Sequence, residues 1–319
     1  MMNNHKFYFY TILPVPHRLT LCPVDRSRFK GKALELNTQQ FRMKFYRFIY
    51  LLMGCILVGN LSFSQTKIMS YNIRYDNPND GLNRWDLRKD EIVQLLKYYH
   101  ADFIGIQEAL PQQVQFIADH LDQYKYIGHG RDGLGTNSES TPIFYNSSKY
   151  KLLKEELFWL SPTPKKVSKG WDAALNRIVV YAKFRSRKTK KIIHVFNTHF
   201  DHIGEQARLN SAALIVDFIR NKKLTNKKIV VMGDFNLLPK TPPIMLFEQE
   251  LDNSYKTKNT IAYGPKGTFN GFATDTEVTE QIDYIFTKNV PVKSYRCIDD
   301  RRANNRQLSD HFPLLIETF

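Results

Sequence analysis

The chain has 319 residues, and its 42% apolar content includes 22 Phe and 17 Tyr, which is enough to build one large α/β domain or two small ones. The formal net charge is +15, but residues 1–64 carry nine of the 46 Lys and Arg and only two of the 31 acidic residues. The other 255 residues therefore hold a net charge of +8, which favours anionic partners without requiring a nucleic acid.

The segment at residues 43–64 has the pattern of a secretory signal peptide. A basic start at Met43–Arg47 precedes an apolar run at Phe48–Val58, and small residues with the spacing of a cleavage site precede Gln65. We therefore expect export to the periplasm or the extracellular space, with cleavage before Gln65. A membrane anchor is the alternative, but a membrane span needs ~20 apolar residues and this run is shorter.

Residues 1–42 do not suit a position upstream of an export signal, because they are polar, basic and aromatic without a clear period. We expect that Met43 is the true start, that residues 1–42 are a spurious or disordered extension, and that the folded domain covers residues 65–319. The pair Gly54-Cys55 resembles a lipoprotein cleavage site. Apolar residues still follow it, so lipoprotein anchoring is the less favoured alternative.

Only one of the three cysteines, Cys297, follows the predicted cleavage site. An exported domain with a single thiol has neither an internal disulfide nor a thiolate metal site, so its stability must come from its packed core. No later stretch is long and apolar enough to span a membrane. We expect a monomer without a stable membrane span.

Hydrophobic periodicity after residue 65 predicts about twelve strands and four helices. Strands that end in polar residues are predicted at residues 67–73, 102–108, 191–199 and 228–233. Amphipathic helices are predicted at residues 85–99, with Asp86 as the N-cap, and at 111–121 and 205–220. The strands and helices alternate irregularly along the chain, which predicts an α/β fold in which two sheets form a sandwich with outer helices.

The stretch Gly233-Asp234-Phe235-Asn236 follows the buried strand pattern Ile229–Val231. Pro239 cannot extend this strand, so the strand stops and presents a carboxylate and a carboxamide at its carboxyl end. Open α/β sheets place their chemistry at such ends. The alternative is an Asp-x-Asn turn that only caps a loop.

Several other predicted strands also end in polar residues, and the whole set is Asn72, Glu108, His199, Asp234, Asn236, Asp283, Asp310 and His311. Metal-assisted phosphoester hydrolysis needs such residues. Hard carboxylate oxygens hold magnesium, the ion neutralises phosphate charge, and imidazole transfers protons near neutral pH. The chain has no Cys-x-x-Cys or His-Glu-x-x-His pattern, which argues against a zinc peptidase.

Six motifs in order give a specific resemblance: Ser70-Tyr-Asn-Ile-Arg74, Ile106-Gln-Glu108, Asn197-Thr-His-Phe-Asp201, Gly233-Asp-Phe-Asn236, Gln281-Ile-Asp-Tyr-Ile285 and Ser309-Asp-His-Phe-Pro313. With these motifs the chain resembles the endonuclease/exonuclease/phosphatase family, the metal-dependent phosphoesterases similar to deoxyribonuclease I and exonuclease III-type repair enzymes. The likeness extends to an exported bacterial branch. It implies a four-layer α/β sandwich of two mixed β-sheets with outer helices and the site at one edge.

The resemblance also implies a metal site. Glu108 would be the principal ligand of Mg²⁺, with Mn²⁺ as an alternative ion. Asn72 and Asp310 would lie near the ion, and Asn72 would also contact the substrate.

The catalytic roles implied by the resemblance fall on residues at the strand ends. Asp234 and Asn236 would orient water and phosphate oxygens. His311 would contact the scissile phosphate and be oriented by Asp283, while His199 would be the second catalytic histidine.

Further roles are implied by the deoxyribonuclease-like branch. Glu139 would pair with the second histidine, although a solvated glutamate is the alternative, and Arg177 would contact the phosphate. Asp201 and His202 are expected to extend the substrate site. Trp171 lies in a long loop and would be either a substrate platform or a core residue.

The substrate remains open among several classes. Small phosphodiesters or phosphomonoesters, such as sugar or inositol phosphates, form the first hypothesis. An extracellular nuclease is the alternative, supported by the basic turn at residues 185–191, which is otherwise a solvated hairpin tip. A sphingomyelinase-like lipid phosphodiesterase and an inactive binding domain are further alternatives.

Overall fold

The fold is organised around two β-sheets that face each other. The computed structural model describes residues 65–319 together with positions 43, 46 and 47, so the predictions for residues 1–42 and most of those for 43–64 fall outside the described residues. The strands are β1 (Lys67–Asn72), β2 (Phe103–Gln107), β3 (Tyr124–Ile127), β4 (Ile143–Asn146), β5 (Tyr150–Trp159), β6 (Ile178–Ser186), β7 (Ile192–His199), β8 (Ile229–Asp234), β9 (Asp252–Asn253), β10 (Ile261–Tyr263), β11 (Asp283–Lys288), β12 (Val292–Cys297) and β13 (Leu314–Thr318).

Seven strands form one sheet in the order β10-β12-β13-β1-β2-β4-β3, and six form the other in the order β5-β6-β7-β8-β11-β9. Both sheets are mixed. The pairs β1–β2, β7–β8 and β10–β12 are parallel, whereas the remaining neighbours are antiparallel. The helices are α1 (Lys89–Tyr99), α2 (Pro111–His120), α3 (Glu205–Asn221) and α4 (Pro242–Glu250).

Three apolar layers hold the sheets and helices together. One fills the space between the sheets, one lies between the seven-stranded sheet and α1 with α2, and one lies between the six-stranded sheet and α3 with α4. Strand β8 shows how the sequence produces this arrangement. Val230 and Met232 enter the layer between the sheets, while Ile229 and Val231 face the helices, because successive side chains point to opposite faces. The four-layer α/β sandwich is confirmed.

The helix predicted at residues 85–99 is wrong at its start. Trp85–Leu87 is a single 3-10 turn, and α1 begins only at Lys89. Asp86 does not cap it but forms an ion pair with Lys89 at 2.7 Å. The break occurs at Arg88, whose buried guanidinium donates to backbone carbonyls outside the helix, including that of Arg74 at 2.9 Å.

Four elements were not assigned from the sequence: the strands β3, β9 and β10 and helix α4, since only three of the four expected helices were given residue ranges. Strand β3 carries two exposed residues and lacks a clear alternation. Helix α4 follows Thr241 and starts with Pro242 and Pro243, a start signal that lies close behind the strand-ending Pro239. Residues 65–319 form one compact unit. Among the described residues, no helix is both long and apolar enough to cross a membrane.

Asn197 ties the two sheets together inside the core. Its Nδ2 donates to the carbonyls of Ile106 (2.8 Å) and Pro142 (2.9 Å), and its Oδ1 accepts from Gln107 Nε2 (2.6 Å). The side chain fits because Gly105 faces it, and a Cβ on that glycine would lie 2.7 Å from Asn197 Oδ1.

We expect Asn197→Ala to lower the free energy of unfolding by about 2–4 kcal/mol, because it leaves several buried polar groups without partners. Urea denaturation measures the change. Asn226→Ala is the matched control, since Asn226 is exposed in the turn before β8. Equal stability of the two variants would contradict the structural role of Asn197.

Candidate active site

The strand ends that carry the predicted polar residues meet at one edge of the sandwich. Strands β1 and β2 are parallel and end beside Asn72 and Glu108, while the parallel pair β7 and β8 ends at His199 and Asp234. Strand β11 runs the other way, so its first residue, Asp283, lies opposite Asp234 in register. The segment 309–311 precedes β13, which is antiparallel to β1, and therefore arrives at the same edge.

Asn72 links the two sheets at this edge and is fully buried. Its Nδ2 donates to Glu108 Oε1 at 3.1 Å and to Asp234 Oδ2 at 3.0 Å, and it lies 3.4 Å from His311 Nε2. Its Oδ1 accepts from the backbone N–H of Arg74 at 3.0 Å. The amide nitrogen, rather than the oxygen, thus faces the carboxylates.

Asp234 lies in the centre of the cluster. Burial, together with the nearby carboxylate of Asp283, raises the pKa of Asp234 to about 7. The charge of His311 opposes this shift without cancelling it, as do hydrogen bonds from the backbone N–H of Asn236 at 2.9 Å and from Asn72. A carboxyl group with this pKa can accept or release a proton near neutral pH.

His311 is buried and oriented by a carboxylate. Its Nδ1 donates to Asp283 Oδ2 at 2.8 Å, and its Nε2 lies 3.7 Å from Asp234 Oδ2. Burial opposes the charged ring, but Asp283 and Asp234 outweigh it and raise the pKa of His311 well above its ordinary value. Phe269 packs edge-on against the imidazole, with the ring centroids 5.1 Å apart. His311 is therefore a cationic donor beside Asp234.

His199 has the opposite character. Its Nε2 lies 3.2 Å from Asn236 Nδ2 and 3.5 Å from Asp234 Oδ2. Burial, followed by the positive charges of Arg177 and Arg131, lowers the pKa of His199 well below its ordinary value. The two histidines of the site are thus shifted in opposite directions, which favours the neutral form of His199 and the charged form of His311.

Two of the polar residues owe their position to unusual backbone. Glu108 has a φ of 63° and Asn236 a φ of 50°, both in the left-handed region that side chains other than glycine seldom adopt. Such conformations persist only where the surrounding structure enforces them, and they are frequent at functional sites. Three residues before Asn236, glycine is required at position 233 because a Cβ there would lie 2.1 Å from the carbonyl oxygen of Thr198.

The donor set fits a divalent cation. Ligand atoms of Glu108, His199 and Asp234 lie within 4.8 Å of one another, and the same holds for Asp234, Asp283 and His311. Burial and the nearby Asp283 make negative charge costly at Asp234, and a cation would relieve that cost. Carboxylate oxygens dominate, as hard ions such as Mg²⁺ prefer.

Asp310 is tied to Glu108 by an arginine that the sequence analysis did not assign to the site. Arg74 Nη1 lies 3.7 Å from Asp310 Oδ2 and 4.0 Å from Glu108 Oε2, while two other guanidinium nitrogens bind Asp80. Burial, together with the charge of Glu108, raises the pKa of Asp310. Arg74 lies two residues after Asn72, within the first motif, and this position is the sequence signal that could have assigned it to the site.

The Asp201 side chain is buried and binds backbone groups of neighbouring loops instead of facing the solvent. Its carboxylate accepts four backbone N–H groups, from residues 174, 175, 203 and 204, at 2.8–3.3 Å. Burial opposes the charge, but these bonds and Arg177 lower the pKa of Asp201 to about 2. Arg177 is buried, with its Nη2 3.2 Å from His202 Nδ1. The structure thus joins Arg177, Asp201 and His202 beside His199.

Glu139 has a partner other than the expected histidine. It forms a two-pronged ion pair with Arg131, with N–O distances of 2.8 and 2.9 Å. This pair lines the same pocket as His199. Trp171 is 38% exposed in its loop, so it is not a core residue, whereas Trp85 is buried in the apolar layer between the seven-stranded sheet and α1 with α2.

Known proteins share this fold and these motifs. Residues 69–311 match the family model described as the Endonuclease/Exonuclease/phosphatase family. An endonuclease/exonuclease/phosphatase from Bacteroides vulgatus is 38% identical, with a TM-score of 0.76 over 80% of this chain and 99% of that chain. A mannosyl-6-phosphatase from Bacteroides thetaiotaomicron is 34% identical, with a TM-score of 0.75 over 80% and 99% of the two chains. The uncharacterized protein L388 of Acanthamoeba polyphaga mimivirus is 28% identical over 255 residues, 73% of this chain and 91% of that protein. The chain therefore belongs to the Endonuclease/Exonuclease/phosphatase family of phosphoester-hydrolysing enzymes.

Proposed function

We propose that the protein is an exported, Mg²⁺-dependent phosphoesterase that hydrolyses small phosphodiesters or phosphomonoesters by attack of water on phosphorus. The observation that carries this proposal is the buried cluster at the sheet edge, in which Asp234 Oδ2 lies 3.5 Å from His199 Nε2 and 3.7 Å from His311 Nε2. Similarity to a mannosyl-6-phosphatase supports a sugar phosphate as the substrate class.

In this proposal Glu108 is the principal ligand of the cation, with Asp310 and Asn72 beside it and Mn²⁺ as an alternative ion. When bound, the ion neutralises phosphate charge and stabilises the leaving oxygen. Arg74 balances the charges of Glu108 and Asp310 from the side of the Asp80 loop.

The other residues position water and phosphate. The carboxylate of Asp234 accepts a proton from the attacking water, and Asn236 helps to orient that water or a phosphate oxygen. His311, kept charged by Asp283, donates from Nε2 to a non-bridging phosphate oxygen as negative charge develops there. His199 is a neutral proton carrier next to Asp234, and Glu139 acts on it only indirectly, through Arg131.

Export and a monomeric state are part of the proposal. The signal-peptide pattern at residues 43–64 supports export, with lipoprotein anchoring at Cys55 as the less favoured alternative.

Trp171, accessible in its loop, is proposed as a platform for the organic part of the substrate.

A nuclease is less well supported because the basic turn lies far from the site. The turn joins the end of β6, at Ser186, to the start of β7, at Ile192, whereas His199 closes β7 at its other end. At about 3.3 Å per residue, this separates the turn from the site by roughly 20–25 Å.

A substrate panel tests the proposal. The panel holds sugar and inositol phosphates, bis-p-nitrophenyl phosphate, sphingomyelin, and single- and double-stranded DNA and RNA, each with magnesium and at two salt concentrations. We expect turnover of small phosphoesters that changes little with salt. Cleavage restricted to nucleic acid, with an affinity that falls steeply with salt, would establish the nuclease alternative instead.

A further inference from the structure

The positive charge of the folded domain is concentrated at one end of the sandwich. Three segments at that end, residues 149–154, 183–191 and 222–228, contain 13 Lys and Arg and no Asp or Glu. The rest of residues 65–319 holds 24 Lys and Arg and 29 acidic residues, a net charge of −5. These three segments, called the basic end below, therefore carry more than the whole positive excess of the domain.

The three segments are neighbours because they adjoin consecutive strands of the six-stranded sheet. They contain the start of β5, the end of β6 with the turn to β7, and the loop between α3 and β8. The backbone N–H of Arg187 donates to the carbonyl of Lys149 at 2.8 Å, and that of His194 donates to the carbonyl of Lys228 at 2.9 Å. Strands β7 and β8 both start here and end at the catalytic edge, so the basic end lies opposite that edge.

Most of these cations lack a partner of opposite charge. Within the described part of the chain, three of them form ion pairs, Lys149 with Asp102 and both Lys154 and Lys222 with Glu156, at N–O distances of 2.7–3.1 Å. The other ten have no carboxylate of the described residues within ion-pair distance. Their charge is therefore available to an external anion.

Like charges even lie opposite one another across β5 and β6. Lys151 is in register with Arg185, and Lys154 with Lys183, and such like-charged pairs destabilise a sheet. Burial, followed by the charges of Lys183 and Lys227, also lowers the pKa of the nearby His194 to about 4. The domain thus carries an electrostatic cost at this end that a negatively charged partner would relieve.

The basic end fits a broad anionic surface better than a nucleic-acid strand. Its two aromatic residues, Tyr150 and Phe184, are buried in the layer between the sheets, so no ring is exposed on which a base could stack. Neighbouring strands lie about 4.8 Å apart, so the charges at β5 to β8 spread over roughly 15 Å. That width spans several lipid headgroups, and anionic headgroups attract Lys and Arg side chains near the bilayer surface.

We propose that the basic end binds a membrane surface rich in anionic lipid and holds the enzyme there with its catalytic edge facing the aqueous phase. Each Lys or Arg near such a surface raises the affinity about fivefold. Leu153 is the only large apolar side chain of the three segments that is exposed, so the attachment is electrostatic, reversible and screened by salt. The catalytic edge, roughly 20–25 Å away along β7, remains open to a soluble substrate.

Sedimentation of the full chain with lipid vesicles tests this surface without turnover. We expect vesicles that contain phosphatidylglycerol to bind the protein at least about 100-fold more tightly than vesicles of phosphatidylcholine alone, and high salt to remove most of this difference. The triple substitution Lys188→Gln/Lys191→Gln/Lys227→Gln removes three exposed charges of the basic end and should weaken binding to the anionic vesicles about 100-fold.

The matched control is Lys165→Gln/Lys166→Gln/Lys169→Gln. It removes the same number of exposed charges from the loop after β5, at the end of the sandwich that carries the catalytic edge. We expect it to change binding to the anionic vesicles less than about threefold. All of these proteins keep residues 1–64, so the differences between them report on the folded domain.

Equal binding of the unaltered protein to both kinds of vesicle, or an equal loss in the two triple variants, would overturn the proposal. Tighter binding to a DNA duplex than to the anionic vesicles in the same buffer, lost only in the basic-end variant, would also overturn it and assign the surface to a polyanion. The orientation is tested by the quenching of Trp171 fluorescence by acrylamide, since Trp171 is exposed in the loop after β5. We expect quenching to persist on the vesicles, and protection of Trp171 would contradict the proposed orientation.

Discussion

His311→Ala is expected to lower kcat/KM for a small phosphoester by about 10²–10⁴-fold, because it removes a charged donor aimed at the phosphate. The imidazole is positioned by a 2.8 Å hydrogen bond to Asp283, and two carboxylates keep it protonated. Steady-state kinetics at saturating magnesium measures the loss. A loss below tenfold would remove His311 from the catalytic residues.

Two further variants test whether the loss of activity in His311→Ala is specific to that imidazole. Asp283→Asn keeps the ring but weakens its orientation, so we expect an intermediate loss of about 10- to 100-fold. His120→Ala removes an exposed imidazole at the end of α2 and should leave turnover unchanged. Near-UV circular dichroism of each variant shows whether the core remains packed.

Glu108→Gln is expected to lower turnover at a fixed magnesium concentration by about 100-fold or more, with partial recovery as magnesium is raised. A carboxylate oxygen of Glu108 lies within 4.8 Å of ligand atoms of His199 and Asp234, and the amide that replaces the carboxylate is a weaker ligand for a hard cation. A magnesium titration of activity measures the effect. Glu277→Gln, in an exposed loop, is the matched control.

If Glu108→Gln required no more magnesium than the unaltered protein and turned over equally fast, Glu108 would not be a metal ligand. A loss of activity that magnesium cannot restore in any degree would indicate a role in holding Asn72 instead, since Asn72 donates to the same carboxylate at 3.1 Å.

The sequence was sufficient to place the central polar residues because each belongs to a motif at a strand end. Asp234 and His199 follow apolar runs whose parallel pairing brings their ends together, and Asp283 is carried to them by an antiparallel neighbour. Strand ends are local features, so periodicity and a terminating proline suffice to find them.

The partners of side chains in loops were harder to predict. Glu139 was expected to pair with His199, but its carboxylate binds the nearer Arg131 instead. Arg131 lies eight residues away in the same loop, and two of its nitrogens contact the two carboxylate oxygens of Glu139. Likewise Arg88 ends the 3-10 turn before α1 because carbonyls from distant segments accept its donors. Such contacts depend on three-dimensional packing and leave no period in the sequence.

We propose above all that the cluster at the sheet edge hydrolyses a phosphoester with a divalent cation. The most direct test of this proposal is turnover of p-nitrophenyl phosphate and bis-p-nitrophenyl phosphate by protein stripped with a chelator, as magnesium is added back. We predict no turnover in the stripped protein and a saturable rise with magnesium. Full activity in excess chelator, or none at any concentration of magnesium or manganese, would contradict the account.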